Sequence, residues 1–360
     1  MMKLTKLLLL TLLLAGLPAT AQVNVGVFLP FKSNASAVEY YRGLLMAIDS
    51  LSNDGTKFNV TAADCGTTAA EMKALLDESR NGVFDIIFAP SNLNQAQVVN
   101  EYSRLNGTKF TMIFGGRYDE LITNPNYYAL KVTQTDYTPR ACRLLQSVFK
   151  GKDIYVVSAN GGKETCPFAN YLIKYIKGTK SLDLNQKEKK VIQALADPNA
   201  VVVPSTYDEQ AQKAIMHLAA MTPGLKAAII GYPAWYDRAK TTADNIALGK
   251  INAYLIQTHY PRMSLPRIKK FLEQYQHNFG IKLPDTGFST PMWGFDTGYY
   301  LLKGLVRHKR DFYNQPLYSA PLQNAFRFEP RSTKQGLINT HVLILHYKAD
   351  GTQELIETKD

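Results

Sequence analysis

Val23-Asn24-Val25-Gly26-Val27-Phe28-Leu29-Pro30-Phe31 leads into Val38, Tyr41, Leu44, Leu45, Ile48 and Leu51, which recur at helical spacing. The first run is short, apolar and rich in β-branched residues, which suits a strand buried on both faces of a parallel sheet. Pro30 stops it, because proline has no N–H to give to a ladder. The second set falls on one face of a helix, where Gly43 is expected to allow close approach to the sheet. This strand-loop-helix unit then repeats. Phe58–Ala62 is the next strand, and Thr68 with Glu71 forms a capping box ahead of Met72, Leu75 and Leu76. In the third copy Phe84–Ala89 is the strand and Pro90-Ser91-Asn92 the turn, with Asn94 and Gln97 able to cap a helix running to about Arg104. Lys109–Phe114 is the fourth strand. It ends in Gly115-Gly116-Arg117-Tyr118, where paired glycines let backbone approach another group closely.

After Tyr127–Val132, an extended run leading out of this set, a second series begins with a helix near Asp136 that continues through Phe149. Strand Asp153–Ser158 passes through Ala159-Asn160-Gly161-Gly162 to a helix starting near Thr165. Asn199–Val203 runs through Pro204-Ser205 to a helix capped by Thr206 and Glu209, and Lys226–Ile230 opens into Gly231-Tyr232-Pro233-Ala234-Trp235-Tyr236. Ile251–Thr258 is again extended. Beyond Pro261 two helices follow in succession, Leu265–Phe279 and roughly Met292–Val306. The tail, Gln323–Phe328 and Thr340–Tyr347, alternates like an antiparallel hairpin. The class is α/β.

The start of the chain has its own signature. Lys3 and Lys6 flank a polar beginning, Leu7–Leu14 is a short apolar block, and Ala19-Thr20-Ala21 matches the small-x-small pattern of a signal-peptidase site. Residues 1–21 are therefore expected to be a signal peptide cleaved after Ala21, giving a secreted, periplasmic protein. No cysteine stands at that junction to take a lipid, and no later stretch is apolar enough for a bilayer span, which needs about 20 residues.

The remaining chain exceeds the roughly 250 to 300 residues at which a single core stops growing, so two lobes are expected. With 46% hydrophobic and 20% charged residues it is neither disordered nor membrane-embedded. The net charge of +11 is spread along the sequence. Its densest cluster, Lys187 to Lys190, reads as a solvated loop rather than a basic groove with stacking aromatics, which argues against nucleic acid as a partner. Three cysteines, Cys65, Cys142 and Cys166, leave at least one unpaired; a Cys65–Cys166 bond stays open.

In chain order, Val25-Gly26-Val27-Phe28-Leu29-Pro30-Phe31, Tyr41-Arg42-Gly43 through Ala47, Asp85-Ile86-Ile87 through Pro90-Ser91, Val201-Val202-Val203-Pro204-Ser205, Gly231-Tyr232-Pro233-Ala234-Trp235, Gly294-Phe295-Asp296 and Phe326-Arg327-Phe328 carry a resemblance. Together they resemble the type I periplasmic-binding-protein family, which holds the branched-chain amino-acid binding proteins of ABC importers. The bacterial branch most similar often places this domain after peptidoglycan-binding LysM repeats, and no LysM repeat is found in this sequence. The resemblance implies two Rossmann-like lobes with central, mostly parallel sheets, joined by three crossovers. Residues 22–133 with 262–317 would form lobe 1, and 134–261 with 318–360 lobe 2.

Ligands of such sheets lie beyond the carboxyl ends of the strands, so the loops there supply the candidate site. These are Phe31, Ser91, Asn92, Gly115, Gly116, Arg117 and Tyr118 in one lobe, and Gly162, Ser205, Thr206, Tyr232 and Trp235 in the other. Ser91 and Asn92 precede a helix start that could hold a carboxylate, or could simply cap it. Ser91 also matches the position where relatives of this family hold the ligand carboxylate. Arg117 could fork onto an anion or make a surface ion pair. Tyr232 and Trp235 could face an apolar or sugar ligand, or could pack. Amino-acid-binding members also use a second-lobe acid for the ligand ammonium, and the corresponding loop offers only Asp237.

No G-x-S-x-G elbow, H-E-x-x-H helix or G-x-x-x-x-G-K-[ST] loop occurs, and His341 and His346 are spaced to opposite faces of a strand. A catalytic role, a cofactor and a metal are not expected. Two functions remain: a solute receptor holding a small molecule between its lobes for an importer or sensor, and a cell-envelope interaction protein whose cleft is empty, similar to regulators of peptidoglycan synthesis. The partner is accordingly a small molecule or an envelope protein, with no membrane insertion after cleavage.

Overall fold

From Val25 onward the first strand, β1 (Gln22–Leu29), is buried on both faces, as a strand between two helical layers must be. The computed structural model describes residues 22–53, 55–78, 83–90, 92–114, 118–159, 165–207, 209–238, 241–284, 287–308, 317, 319–330 and 335–357. The proposed signal peptide lies outside the described residues. After β1 come α1 (Ala35–Ser52), β2 (Lys57–Asp64), α2 (Ala69–Glu78), β3 (Ile86–Ala89), α3 (Leu93–Asn106), β4 (Lys109–Met112) and β5 (Tyr127–Ala129). The second series is α4 (Gln134–Val148), β6 (Asp153–Ser158), α5 (Pro167–Tyr175), β7 (Lys180–Asp183), α6 (Leu184–Ala196), β8 (Ala200–Pro204), α7 (Glu209–Met221), β9 (Ala228–Gly231), α8 (Pro233–Arg238), α9 (Thr242–Lys250) and β10 (Ala253–Gln257). The chain closes with α10 (Pro266–Phe279), α11 (Thr290–His308), β11 (Phe328–Pro330), β12 (Leu337–Asn339), β13 (Leu343–Tyr347) and β14 (Gln353–Ile356).

These strands make two seven-stranded sheets, β11-β12-β5-β4-β3-β1-β2 and β14-β13-β10-β9-β8-β6-β7. In the first, β2, β1, β3 and β4 run parallel, with Val25 opposite Val60 on one side and Ile86 on the other. In the second, β7, β6, β8, β9 and β10 run parallel, and β13 and β14 are added antiparallel. By contacts the chain divides into two compact units, Met1–Gly115 with Thr290–Ser319 and Gly116–Ser289 with Ala320–Asp360.

The second sheet shows why its central strands read as continuous apolar runs. Along β8, Val201 and Val203 enter one core while Ala200 and Val202 enter the other; Ile230 and Ile229 on β9, and Ile256 and Leu255 on β10, divide in the same way. A two-residue period with a core on each side leaves no polar position to mark the strand.

Four expectations need correction. Gly43 serves a helix–helix crossing rather than a helix–sheet contact: a Cβ there would lie 1.9 Å from the Pro291 carbonyl oxygen at the start of α11. Gly294 answers from the other side, where a Cβ would sit 2.1 Å from the Tyr40 carbonyl oxygen. The expected tail hairpin is two pairings in different sheets, β11 with β12 and β13 with both β10 and β14. Lys187 to Lys190 lies on helix α6 with exposed side chains, its other face carrying Val191, Ala194 and Leu195 into the core. The α3 cap is Asn92, whose Oδ1 accepts from Asn94 N at 3.0 Å and Gln95 N at 3.5 Å.

Candidate functional site

In the first unit the carboxyl ends of β1, β2, β3 and β4 surround a concavity of about 240 Å³, lined by Pro30, Gly66, Thr67, Pro90, Asn92, Gln95 and Phe114. Its lining combines apolar Pro30, Pro90 and Phe114 with polar Thr67, Asn92 and Gln95. Each polar residue is held from behind. Asp64 accepts from Gly66 N at 3.0 Å and from Lys32 N at 2.6 Å, which ties the turn after β2 to the turn after β1. Glu71 reaches back to Thr67 N, Thr68 N and Thr68 Oγ1, and these hydrogen bonds, the Thr68 hydroxyl first, hold its carboxyl below the usual range. Gly66 needs its freedom, since it sits at φ +58° and a Cβ would strike the Glu71 carboxylate.

Asn92 joins two loops: its Oδ1 caps α3 and its Nδ2 donates to the Thr67 carbonyl at 2.9 Å. Gln95, buried one turn into α3, donates from Nε2 to the Cys65 carbonyl at 2.7 Å and the Thr68 carbonyl at 3.2 Å. Cys65 is buried behind this network, and burial pushes its thiol up to about 11, so it stays protonated at neutral pH. Phe114, also a lining residue, is braced edge-on by Tyr40 and Trp293, at ring-centroid distances of 6.0 and 5.7 Å.

In the second unit the strand ends carry a tyrosine cluster. Tyr232, after β9, is buried, donates to the Pro204 carbonyl at 2.6 Å and lies 3.2 Å from Cys166 Sγ. Tyr207, after β8, remains 38% exposed and meets the Tyr232 ring edge-on at 4.4 Å. Its hydroxyl is shared with Tyr137 and Cys166, and burial, reinforced by these neighbours, raises both the Tyr207 and Tyr232 phenols. The cluster is therefore neutral, able to stack or exchange hydrogen bonds but supplying no charge.

The sequence-derived candidates fall into three groups. Ser91, Gly115, Gly116, Arg117 and Gly162 lie outside the described residues, as does the Asp237 side chain. Asn92 lines the concavity, while Phe31, next in sequence to the lining residue Pro30, is half-buried and packs on Tyr41 at 5.4 Å. The remaining five lie in the second unit. Tyr118 precedes a 3-10 turn at Asp119–Thr123, and Thr206 is buried with its carbonyl accepting from Gln212 Nε2. Ser205 is buried with no partner for its hydroxyl among the described residues, Tyr232 belongs to one core, and Trp235 belongs to the other, its Nε1 donating to Gln212 Oε1. Sequence reasoning passed over Thr67, Gln95, Phe114 and Tyr207. Gln95 was legible as the residue one turn in from the true cap; Phe114 and Tyr207 stand two and three residues beyond the ends of β4 and β8.

Parallel sheets with opposed helical layers and a concavity at the strand ends narrow the fold to few possibilities. No family model matches this chain, and no curated protein matches it. Solved structures do. A Rhodospirillum rubrum protein named for branched-chain amino acid ABC transport superposes with a TM-score of 0.60 at 12% identity, over 93% of this chain and 100% of that one. The chain has the type I periplasmic-binding-protein fold. A Rhodopseudomonas palustris ABC-type branched-chain amino acid transporter protein gives a TM-score of 0.54 at 13% identity, covering 94% and 96%. A Desulfitobacterium hafniense ABC transporter substrate-binding protein, solved in complex with Leu, gives 0.50 at 14% identity, covering 93% and 100%. At these identities the type I periplasmic-binding-protein likeness is one of fold. Among the described residues, no three His, Cys, Asp or Glu side chains are grouped to hold a metal, and no helix is long and apolar enough to cross a membrane.

Proposed function

We propose that this protein is a non-catalytic solute-binding protein, exported by its amino-terminal leader to the periplasm, that captures a small polar ligand for an ABC-type importer or sensor. The observation that carries the reading is the concavity of about 240 Å³ at the carboxyl ends of β1 to β4, where an α/β sheet places its ligand. Asn92 and Thr67 offer amide and hydroxyl groups, the amino end of α3 favours an anionic group, and Phe114 with two prolines covers an apolar portion. A small carboxylate with an apolar side group, amino-acid-like or otherwise, satisfies all three. The fold is shared with proteins named as ABC transporter substrate-binding proteins, which supports this reading.

The test is native mass spectrometry of freshly purified mature protein for a retained small molecule, then calorimetric titration with free amino acids and small carboxylates. Binding that weakens at least tenfold in Thr67→Val and Asn92→Ala is expected, the scale of losing one or two hydrogen bonds to a charged group. No retained molecule and no heat across the panel would remove the reading.

A further inference from the structure

A second cavity, of about 370 Å³, lies in the second unit between α7, α8 and α9. Trp235 contributes to its wall, as do Met216, Leu248 and Ile251. The indole is fixed there: Nε1 is hydrogen-bonded to Gln212, and Gly231 leaves the room, since a Cβ at Gly231 would fall 2.5 Å from the ring. The volume suits a small molecule, and an apolar lining with few polar groups is the usual composition of such a site.

Ionisable side chains lie among the lining residues. Lys213 and His217, one turn apart on α7, present two basic groups on one side. Lys213 pairs with Glu209 at 2.8 Å, but both side chains are more than half exposed, so a ligand anion can replace Glu209 at little cost. Asp244 stands on α9, where its Oδ2 accepts from Thr241 N and Thr241 Oγ1, both at 2.8 Å, at the positive end of the helix. These bonds hold the Asp244 carboxylate onto its own helix start, and Lys213, exposed and able to turn from Glu209, is the charge a ligand can reach.

We propose that this cavity is a second ligand site, taking a free single-chain amphiphile whose apolar body lies against Trp235 and whose anionic head meets Lys213. It is independent of the strand-end site. The experiment uses the Trp293→Phe protein, in which Trp235 is the sole tryptophan, titrated below their self-association concentrations with decanoate, decanol and decylammonium. Saturable change in Trp235 emission is expected, with decanoate about tenfold tighter than decanol and decylammonium no tighter than decanol. Lys213→Ala should remove the advantage of decanoate over decanol. Ala220→Phe and Ala247→Phe, at exposed lining positions on separate helices, should each abolish the response while melting like the parent. The proposal fails if emission does not saturate, if the response survives in both filled variants, or if the cation binds tightest.

Discussion

Trp293 meets Phe114 edge-on, ring centroids 5.7 Å apart at 84°, and Phe114 is the aromatic wall of the strand-end concavity. A ligand seated there is one residue away from the Trp293 indole, whereas Trp235 is buried in a core of the other unit. The two tryptophans therefore report on different sites. Ligand at the strand ends should change emission in wild type and in Trp235→Phe but not in Trp293→Phe. A response retained in Trp293→Phe would place that ligand elsewhere.

Gln95 is 1% exposed and its amide serves two carbonyls, those of Cys65 and Thr68. Gln95→Leu fills the same space but leaves both without that donor, which should cost about 2 kcal/mol in urea unfolding and loosen the Gly66–Thr68 turn. Ligand affinity should fall with it. An unchanged midpoint would mean water replaces the amide.

The α1–α11 crossing allows no side chain at two positions. Gly43→Ala should destabilise by about 3 kcal/mol, because the obstruction is the Pro291 backbone rather than a side chain that can turn aside. Gly298→Ala, which meets only the Leu44 side chain, should cost distinctly less by the same unfolding measurement.

His346 stacks on Tyr254 with ring centroids 4.0 Å apart, and its Nε2 lies 3.0 Å from Asn252 Oδ1. Burial lowers its pKa from 6.5, opposed by Glu354 and assisted by Lys348. The folded chain thus binds this proton less readily than the unfolded chain, so the contribution is present above the unfolded value of 6.5 and lost as pH falls through that value toward the folded one. Melting temperature should drop between pH 7.5 and pH 5, about a unit or more either side of 6.5, and less steeply in His346→Asn. An identical pH slope in the variant would assign the effect to other groups.

Cys65, Cys142 and Cys166 are all buried and in no disulfide. Burial pushes the Cys142 thiol up to about 12 and Cys65 to about 11, which suppresses the reactive thiolate. Iodoacetamide at neutral pH should label none in the folded protein and all three after denaturation without reductant. Only one label in the denatured chain would reveal a disulfide.

Much of the fold was legible because its strands are buried on both faces. Val23–Leu29, Phe84–Ala89 and Val201–Val203 read as apolar runs, and the helices between them carry a 3.6-residue period that no strand imitates. Edge elements were harder to read. β7, Lys180–Asp183, was passed over because it is four residues long and three of them are polar, and the tail strands alternated so regularly that the nearest partner in sequence looked sufficient. Their real partners, β12 for β11 and β10 with β14 for β13, are set by which sheet edge is open, a property of the assembled fold.

For the site, sequence alone determined where to look, since strand-to-helix loops of a parallel sheet converge on one end whatever residues they contain. It also singled out Asn92 as a candidate at the helix start, although it gave the cap of that helix to Asn94. Which neighbours join it was decided only by tertiary structure. Thr67, Gln95 and Phe114 come from three separate segments brought together by register, and Trp235, which looked like a loop aromatic, turns inward because Gly231 leaves room for its ring and Gln212 answers its N–H. A local pattern specifies the conformation of its own segment; whether a side chain lines a site or fills a core depends on the space that distant segments leave, and that is fixed only when they pack.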